Sequence, residues 1–255
     1  MKIIADYHTH TIFSHGRGTV EDNVHAAIKK GLQEIAITDH GLRHVVFGLR
    51  RRKLALLREQ IDALNARFMG KIRVLMGVEA NLIGLDGTID LPKEFMAHFD
   101  ILLVGYHRMA WLKDLKTFWH FAVKNLLYKK GKKYGKIVQK NTQAYVRSME
   151  KYPIACITHP NDMIHLDMDM LGKAAARTGT ALELNIRHNS LTVEEIGRLK
   201  ENGAPFMISS DAHRSDDVGD LAGTVRLADD AGLKESDVLN AKGCGRSVRK
   251  ITPVE

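Results

Sequence analysis

Cysteine is nearly missing from this chain: Cys156 and Cys244 are its two thiols in 255 residues. They show no metal-pair spacing and no disulfide framework, which argues against a stapled secreted scaffold and a thiolate metal site. No apolar run reaches the ~18 residues that a membrane-spanning helix needs. The opening Met-Lys-Ile-Ile-Ala-Asp leads straight into a strand pattern rather than a signal peptide. A cytoplasmic location and no transmembrane segment are the expectations. Internal repeats, low-complexity segments and linkers are also missing, so residues 1–255 are expected to form one domain. Nor is there a nucleophilic serine elbow or an active-site cysteine motif.

Acidic residues are in deficit, 30 against 38 basic ones, giving a net charge of +8. That balance favours anionic ligands without saying which. Phosphate esters, nucleic acid and an anionic membrane surface all remain open.

What the chain has is histidine, 13 in all, at recurring places. Short apolar or β-branched runs predict strands at 2–7, 34–38, 73–78, 101–106, 154–158, 181–185 and 205–209. Amphipathic helical patterns lie between them, at 20–31, 50–68, 170–178 and 192–202. Thr192 with Glu195 three residues on is a capping-box pattern. Repeated strand–helix units imply parallel strands with right-handed crossovers, and seven of them imply a closed or nearly closed α/β barrel. Such barrels carry their active sites at the C-terminal ends of the strands. There the sequence places Asp6-Tyr7-His8-Thr9-His10, Thr38-Asp39-His40, Glu79, His107, His159 and Asp211-Ala212-His213. The sixth strand offers only Asn185 and the loop that follows it.

His8 and His10, two residues apart on a strand, point to one face, as does Asp6. Asp6 and Asp39 are expected as ligands or as partners that orient an imidazole. Glu79 and Asp211 supply charged oxygens, and a carboxylate bridges two ions readily. Nine candidate ligands exceed the three that one catalytic zinc takes from protein, and suit two or three ions. Imidazole with carboxylate points to zinc, manganese or iron. Clustering so many polar groups without metal would cost roughly 1–3 kcal/mol for each unpartnered one. His25, His44, His98, His120, His165 and His188 lack such company and are expected to be ordinary core or surface residues.

These motifs resemble the PHP (polymerase and histidinol phosphatase) family: Asp-x-His-x-His at 6–10, His15, Thr-Asp-His at 38–40, Glu79, His107, His159 and Ser-Asp-Ala-His at 210–213. Gly77-Val78-Glu79-Ala80-Asn81, the 86–90 segment, Asn141-Thr142-Gln143-Ala144 and the 181–185 segment are similar to its YcdX-type phosphatases. The resemblance implies a distorted (β/α)7 barrel with a trinuclear centre. One ion would take His8, His10, Glu79 and Asp211. A second would share Glu79 and take His107 and His159. A third would take His15, His40 and His213. The implied reaction is hydrolysis of a phosphate monoester, histidinol-phosphatase-like, by metal-activated water, with Asp6, Asp39, Glu79 and Asp211 as its candidate catalytic residues. Arginines just past strand ends, Arg17, Arg108, Arg187 and Arg214, with Arg43 beside them, are candidate phosphate contacts.

One region breaks the rhythm. Residues 108–152 are too long for a single crossover and mix lysines with Trp111, Phe118, Trp119, Phe121, Leu126, Leu127 and Tyr128, with a dense basic run at 129–133. A basic helical insertion of this kind keeps a nuclease or nucleotide phosphoesterase as the alternative, with nucleic acid as partner. An amidohydrolase is a weaker rival: the strand count, Thr-Asp-His, Glu79 and the lack of a recognisable metal-bridging lysine speak against it. A non-catalytic structural module is an equally weak rival, because the ligand set is complete. A small phosphorylated substrate is the expected partner, and a homo-oligomer stays open.

Overall fold

Side-chain parity builds the sheet. In residues 73–81, Val74, Met76, Val78 and Ala80 share one face, while Leu75, Gly77 and Glu79 share the other. The first set packs with Val24, Leu57, Ile61, Leu171 and Ile196 of the surrounding helices. Leu75 joins a smaller interior cluster with Ala5, Ala36, Ile101, Leu103, Ala181 and Met207. Each fully buried Leu or Ile contributes roughly 1.5–3 kcal/mol. The outward layer therefore holds the helices on, while the inner face is filled by this second apolar cluster low down and frees its upper positions for polar ones.

The computed structural model describes residues 1–127, 135–185, 187–188 and 190–251. Its strands are β1 (Ala5–Asp6), β2 (Glu34–Ile37), β3 (Arg73–Asn81), β4 (Ile101–Gly105), β5 (Cys156–Ile157), β6 (Ala181–Leu184) and β7 (Phe206–Ile208). They form one sheet in chain order, every neighbouring pair parallel. The helices are α1 (Val20–Lys29), α2 (Leu54–Arg67), α3 (Lys93–Met96), α4 (Leu115–Phe118), α5 (Gly135–Lys151), α6 (Met168–Thr178), α7 (Val193–Glu201) and α8 (Ala222–Asp230). This is a distorted, nearly closed (β/α)7 barrel. Thr192 and Glu195 do form the capping box of α7, and Thr19 with Asp22 forms another on α1.

β3 runs three residues past its expected end at 78, because Glu79 and Asn81 pair with Leu103 and Gly105 of β4. Glu79 thus sits within a strand, held from both sides. The seam between first and last strands closes differently. A bridge between Thr9 and Ala212 joins them at the upper end. Lower down, the Asn240 side chain donates to Ala5 O and Ile208 O and accepts from Ile208 N–H. Leu239, Cys244 and Val248 of the same C-terminal segment join the interior cluster.

The 108–152 region contains α4, a π-helical turn over Trp119–Lys124, and α5. Tyr128 and the basic run at 129–133 lie outside the described residues. Among the described residues, no helix is long and apolar enough to cross a membrane.

Candidate metal centre

The upper inner face of the barrel carries the chemistry. His8 Nδ1 lies 2.7 Å from Glu183 Oε1. A carboxylate only accepts, so in neutral His8 the proton is on Nδ1 and the Nε2 lone pair faces the interior. His107 is set the same way by Asn81 Oδ1 at 2.7 Å, and His213 by the Asp211 carbonyl at 2.8 Å. Asn81 is itself fixed by the buried Asp90 carboxylate, which accepts from its backbone N–H and its amide. Orienting partners of this kind are what metal-binding imidazoles require.

His8 Nε2 and His10 Nε2 are 3.1 Å apart. Asp211 Oδ1 is 3.4 Å from the first and 3.1 Å from the second. Glu79 Oε2 is 3.4 Å and 3.6 Å from them. Ligand atoms about 2.0–2.2 Å from a zinc-like ion at tetrahedral angles lie about 3.3–3.6 Å apart. The two imidazole nitrogens and Asp211 Oδ1 are thus close enough to share one ion, with Glu79 Oε2 beside both imidazoles. Glu79 reaches further: its Oε1 is 3.0 Å from His159 Nε2 and 3.4 Å from His107 Nε2, while its Oε2 is 2.9 Å from His40 Nδ1. Its two oxygens thus face different imidazoles. His15, His40 and His213 close a third group with His10, their ligand atoms within 4.8 Å of one another.

Buried atoms among these are left without hydrogen-bond partners: His10 Nδ1, His15 Nδ1, His40 Nδ1, Glu79 Oε2 and Asp211 Oδ1. Each such group would cost about 1–3 kcal/mol if nothing met it. Burial alone would raise the Glu79 and Asp211 carboxyls, but the surrounding imidazoles outweigh it and hold both well below the usual range. Burial, joined by neighbouring imidazoles, lowers His15 to about 4 and His213 to about 3, and takes His40 well below its ordinary value. Ionised carboxylates beside neutral imidazoles are the protonation states that divalent cations need. His8 goes the other way: burial opposes its charge, but Glu183, Asp211 and Glu79 raise it well above the ordinary value. His159 and Asp211 adopt positive φ, 29° and 50°. Such backbone is uncommon for side-chain-bearing residues and clusters at functional sites.

All nine expected ligands come together, but the supporting cast differs from the sequence reading. Among the described residues, neither Asp6 nor Asp39 hydrogen-bonds an imidazole, although the charge of His10 acts on Asp39. Asp6 accepts from Ser210 and from the Gly219 and His8 backbone N–H groups, and Asp39 from Thr11 and Ser14. They hold the loops that present Asp211 and His15. Glu183 takes the orienting role instead. It shares inward parity with Ala181, the signal that could have found it.

His44 and His188, expected to be bystanders, line the cavity of about 180 Å³ above the cluster, together with Phe47 and Met163. His44 stacks on His40 with ring centroids 4.8 Å apart. His188 lies 3.2 Å from Asp211 and 3.3 Å from Asp162, and these partners raise it to about 10. No arginine is among the described residues lining this cavity. Arg17 and Arg43 are exposed, Arg187 and Arg214 lean towards Asp217 and Asp216 at 3.8 and 3.9 Å, and Arg108 lines a neighbouring cavity. A larger, open cleft of about 400 Å³, lined by Ile12, Gln60 and Arg67 among others, contains no such ligand group.

Comparison with known proteins matches this arrangement to a family. The PHP domain profile matches residues 6–187. A probable phosphatase of Caldanaerobacter subterraneus subsp. tengcongensis is 30% identical over 256 residues, covering 94% of this chain and 88% of the relative. The DNA polymerase/3'-5' exonuclease PolX of Bacillus subtilis is 31% identical over 244 residues, covering 94% of this chain and 40% of that protein. Histidinol phosphate phosphatase of Lactococcus lactis, solved with zinc, L-histidinol and phosphate, superposes with a TM-score of 0.61 at 18% identity, covering 92% of this chain and 95% of that one. At that identity the likeness is one of fold.

Proposed function

The chain belongs to the PHP domain family, and from that premise we propose that it is a metal-dependent phosphomonoesterase acting on a small phosphorylated substrate. The observation that carries the reading is Glu79, a fully buried carboxylate whose two oxygens face separate sets of imidazoles. The proposed ligand sets are His8, His10, Glu79 and Asp211; Glu79, His107 and His159; and His15, His40 and His213. Two or three divalent ions, zinc, manganese or iron, would supply Lewis acidity and water activation there. The chain's own part is orientation and exclusion of water. Glu183, Asn81 and the Asp211 carbonyl fix the imidazoles, and Phe47 and Met163 wall the cavity. His44 Nδ1 accepts from Phe47 N–H, so its Nε2 carries the proton in the neutral ring and is a donor for a phosphoryl oxygen. The reading treats residues 1–255 as one barrel domain with a basic insertion at 108–152.

The test is turnover of a phosphomonoester and phosphodiester panel after chelation and return of zinc, manganese or iron. Monoesters should be hydrolysed only with metal restored. Asp211→Ala or His8→Ala should lower kcat/KM by about 10³-fold or more with the fold intact, a loss on the scale of removing a main electrostatic contributor. Near-wild-type turnover in both variants would refute the assignment. The PolX relative, whose name includes an exonuclease, supports a second reading: processing of nucleic-acid ends through the basic insertion. That reading requires degradation of oligonucleotides with steeply salt-dependent binding.

A further inference from the structure

A second cavity, about 120 Å³, adjoins the metal cavity and shares Met163 with it as a common wall. Consecutive residues divide between the two: His107 lines the metal cavity, and Tyr106 and Arg108 line its neighbour. Its far wall is the π-helical turn, through Phe121 and Ala122, with Asn125 just beyond. π-helical turns are rare and frequently mark functional sites.

This one is firmly seated. The fully buried Asn141 of α5 accepts from Asn125, lies 2.9 Å from His120 Nε2, and donates to Asn125 Oδ1 and His165 O. Asn125 in turn donates to His120 O. Such a fully engaged polar network rigidifies what it holds. The pocket is therefore a built part of the fold.

Its chemistry is one-sided. Tyr106, Phe121 and Met163 make it largely apolar, no lining residue is acidic, and Arg108 is its one charged group. Arg108 makes no ion pair with a described residue. The carboxylate that feels its charge, Asp162, is already engaged by His188 at 3.3 Å. Together the two cavities approach the low end of small-ligand sites, roughly 300 Å³. Methionine's flexible thioether lets a shared wall yield to a ligand.

We propose that this second cavity receives the leaving group of the substrate, and that the substrate is a phosphomonoester whose alcohol carries a compact apolar ring or chain and an anionic substituent that meets Arg108. The proposal rests on the phosphomonoesterase reading above. It places amino-alcohol phosphates among the poor substrates, because their ammonium group would face the guanidinium.

The test compares three aryl monoesters of similar intrinsic reactivity on the metal-restored protein: 4-carboxyphenyl phosphate, phenyl phosphate and O-phosphotyramine. kcat/KM should fall in that order, with the carboxylate ester favoured over the amine by about tenfold or more. Arg108→Gln should bring the two within about threefold, and Arg108→Glu should reverse them. Equal or inverted preference in the wild type, or a preference that survives Arg108→Gln, overturns the proposal. Turnover of none of the three would instead refute the phosphatase reading. The matching arylphosphonates, read by thermal shift, then decide the pocket on their own: larger stabilisation by the carboxylate form supports it, and equal or larger stabilisation by the amine form overturns it.

Discussion

Glu183 decides which nitrogen of His8 is free. Its Oε1 takes Nδ1, and its Oε2 accepts the His159 backbone N–H at 2.8 Å. One buried carboxylate therefore fixes the His8 ring after β1 and the His159 backbone after β5. Glu183→Gln keeps the shape but removes the charge that makes the imidazole a strong donor of its lone pair. Metal affinity should drop by about 10–100-fold, read by chelator competition, with the circular dichroism spectrum unchanged. Unaltered affinity would return Glu183 to a purely packing role. The residue-scale lesson is one of parity. Reading only strand ends finds His8, His40, His107 and Asp211 but passes over an inward-facing residue in mid-strand. His44 and His188 escaped for another reason: the loops after β2 and β6 have no period, so nothing in the sequence says where they fold back.

The strands of this barrel meet at very close range. A Cβ on Gly105 would come 2.4 Å from Thr158 Oγ1 and 3.1 Å from both Glu79 Oε1 and His159 Cε1. Thr158 in turn donates to Glu79 Oε1 at 2.8 Å. The absent side chain at the end of β4 is what lets β3 and β5 bring their ligands together. Gly105→Ala should destabilise the protein by about 1–3 kcal/mol through overpacking, seen as a lower urea midpoint, and should reduce metal content in the folded fraction. A variant as stable and as metal-rich as the parent would show that the strands have room to spread. Element type and order were legible because short apolar runs and helical spacing are strong signals in β2, β4, α1 and α7. The far end of β3 was not, because its last residues are strand only through their pairing with β4. The insertion was legible as an interruption, but its π-helical turn depends on tertiary contacts made by His120, Asn125 and Asn141.

Across the whole molecule, the ring of strands is complete except where β1 meets β7. There the Asn240 side chain stands in for ladder hydrogen bonds below the Thr9–Ala212 bridge. Asn240→Leu leaves two carbonyls and one N–H without their partner in a buried place. The expected cost is on the order of 3 kcal/mol, measurable as a shift in chemical denaturation. A neutral substitution would mean that water reaches the seam.

The position of Asn240 ties two distant matters together. His8 and His10 leave one side of that seam and Asp211 leaves the other, whereas the clasp comes from residue 240 and grips Ala5 and Ile208 a few residues below them. Trimming the tail back past it would spare every coordinating side chain, yet let the two banks of the centre drift apart. Ion retention would thus depend on how well the ring closes, and a lesion just below the seam would loosen the roof above it.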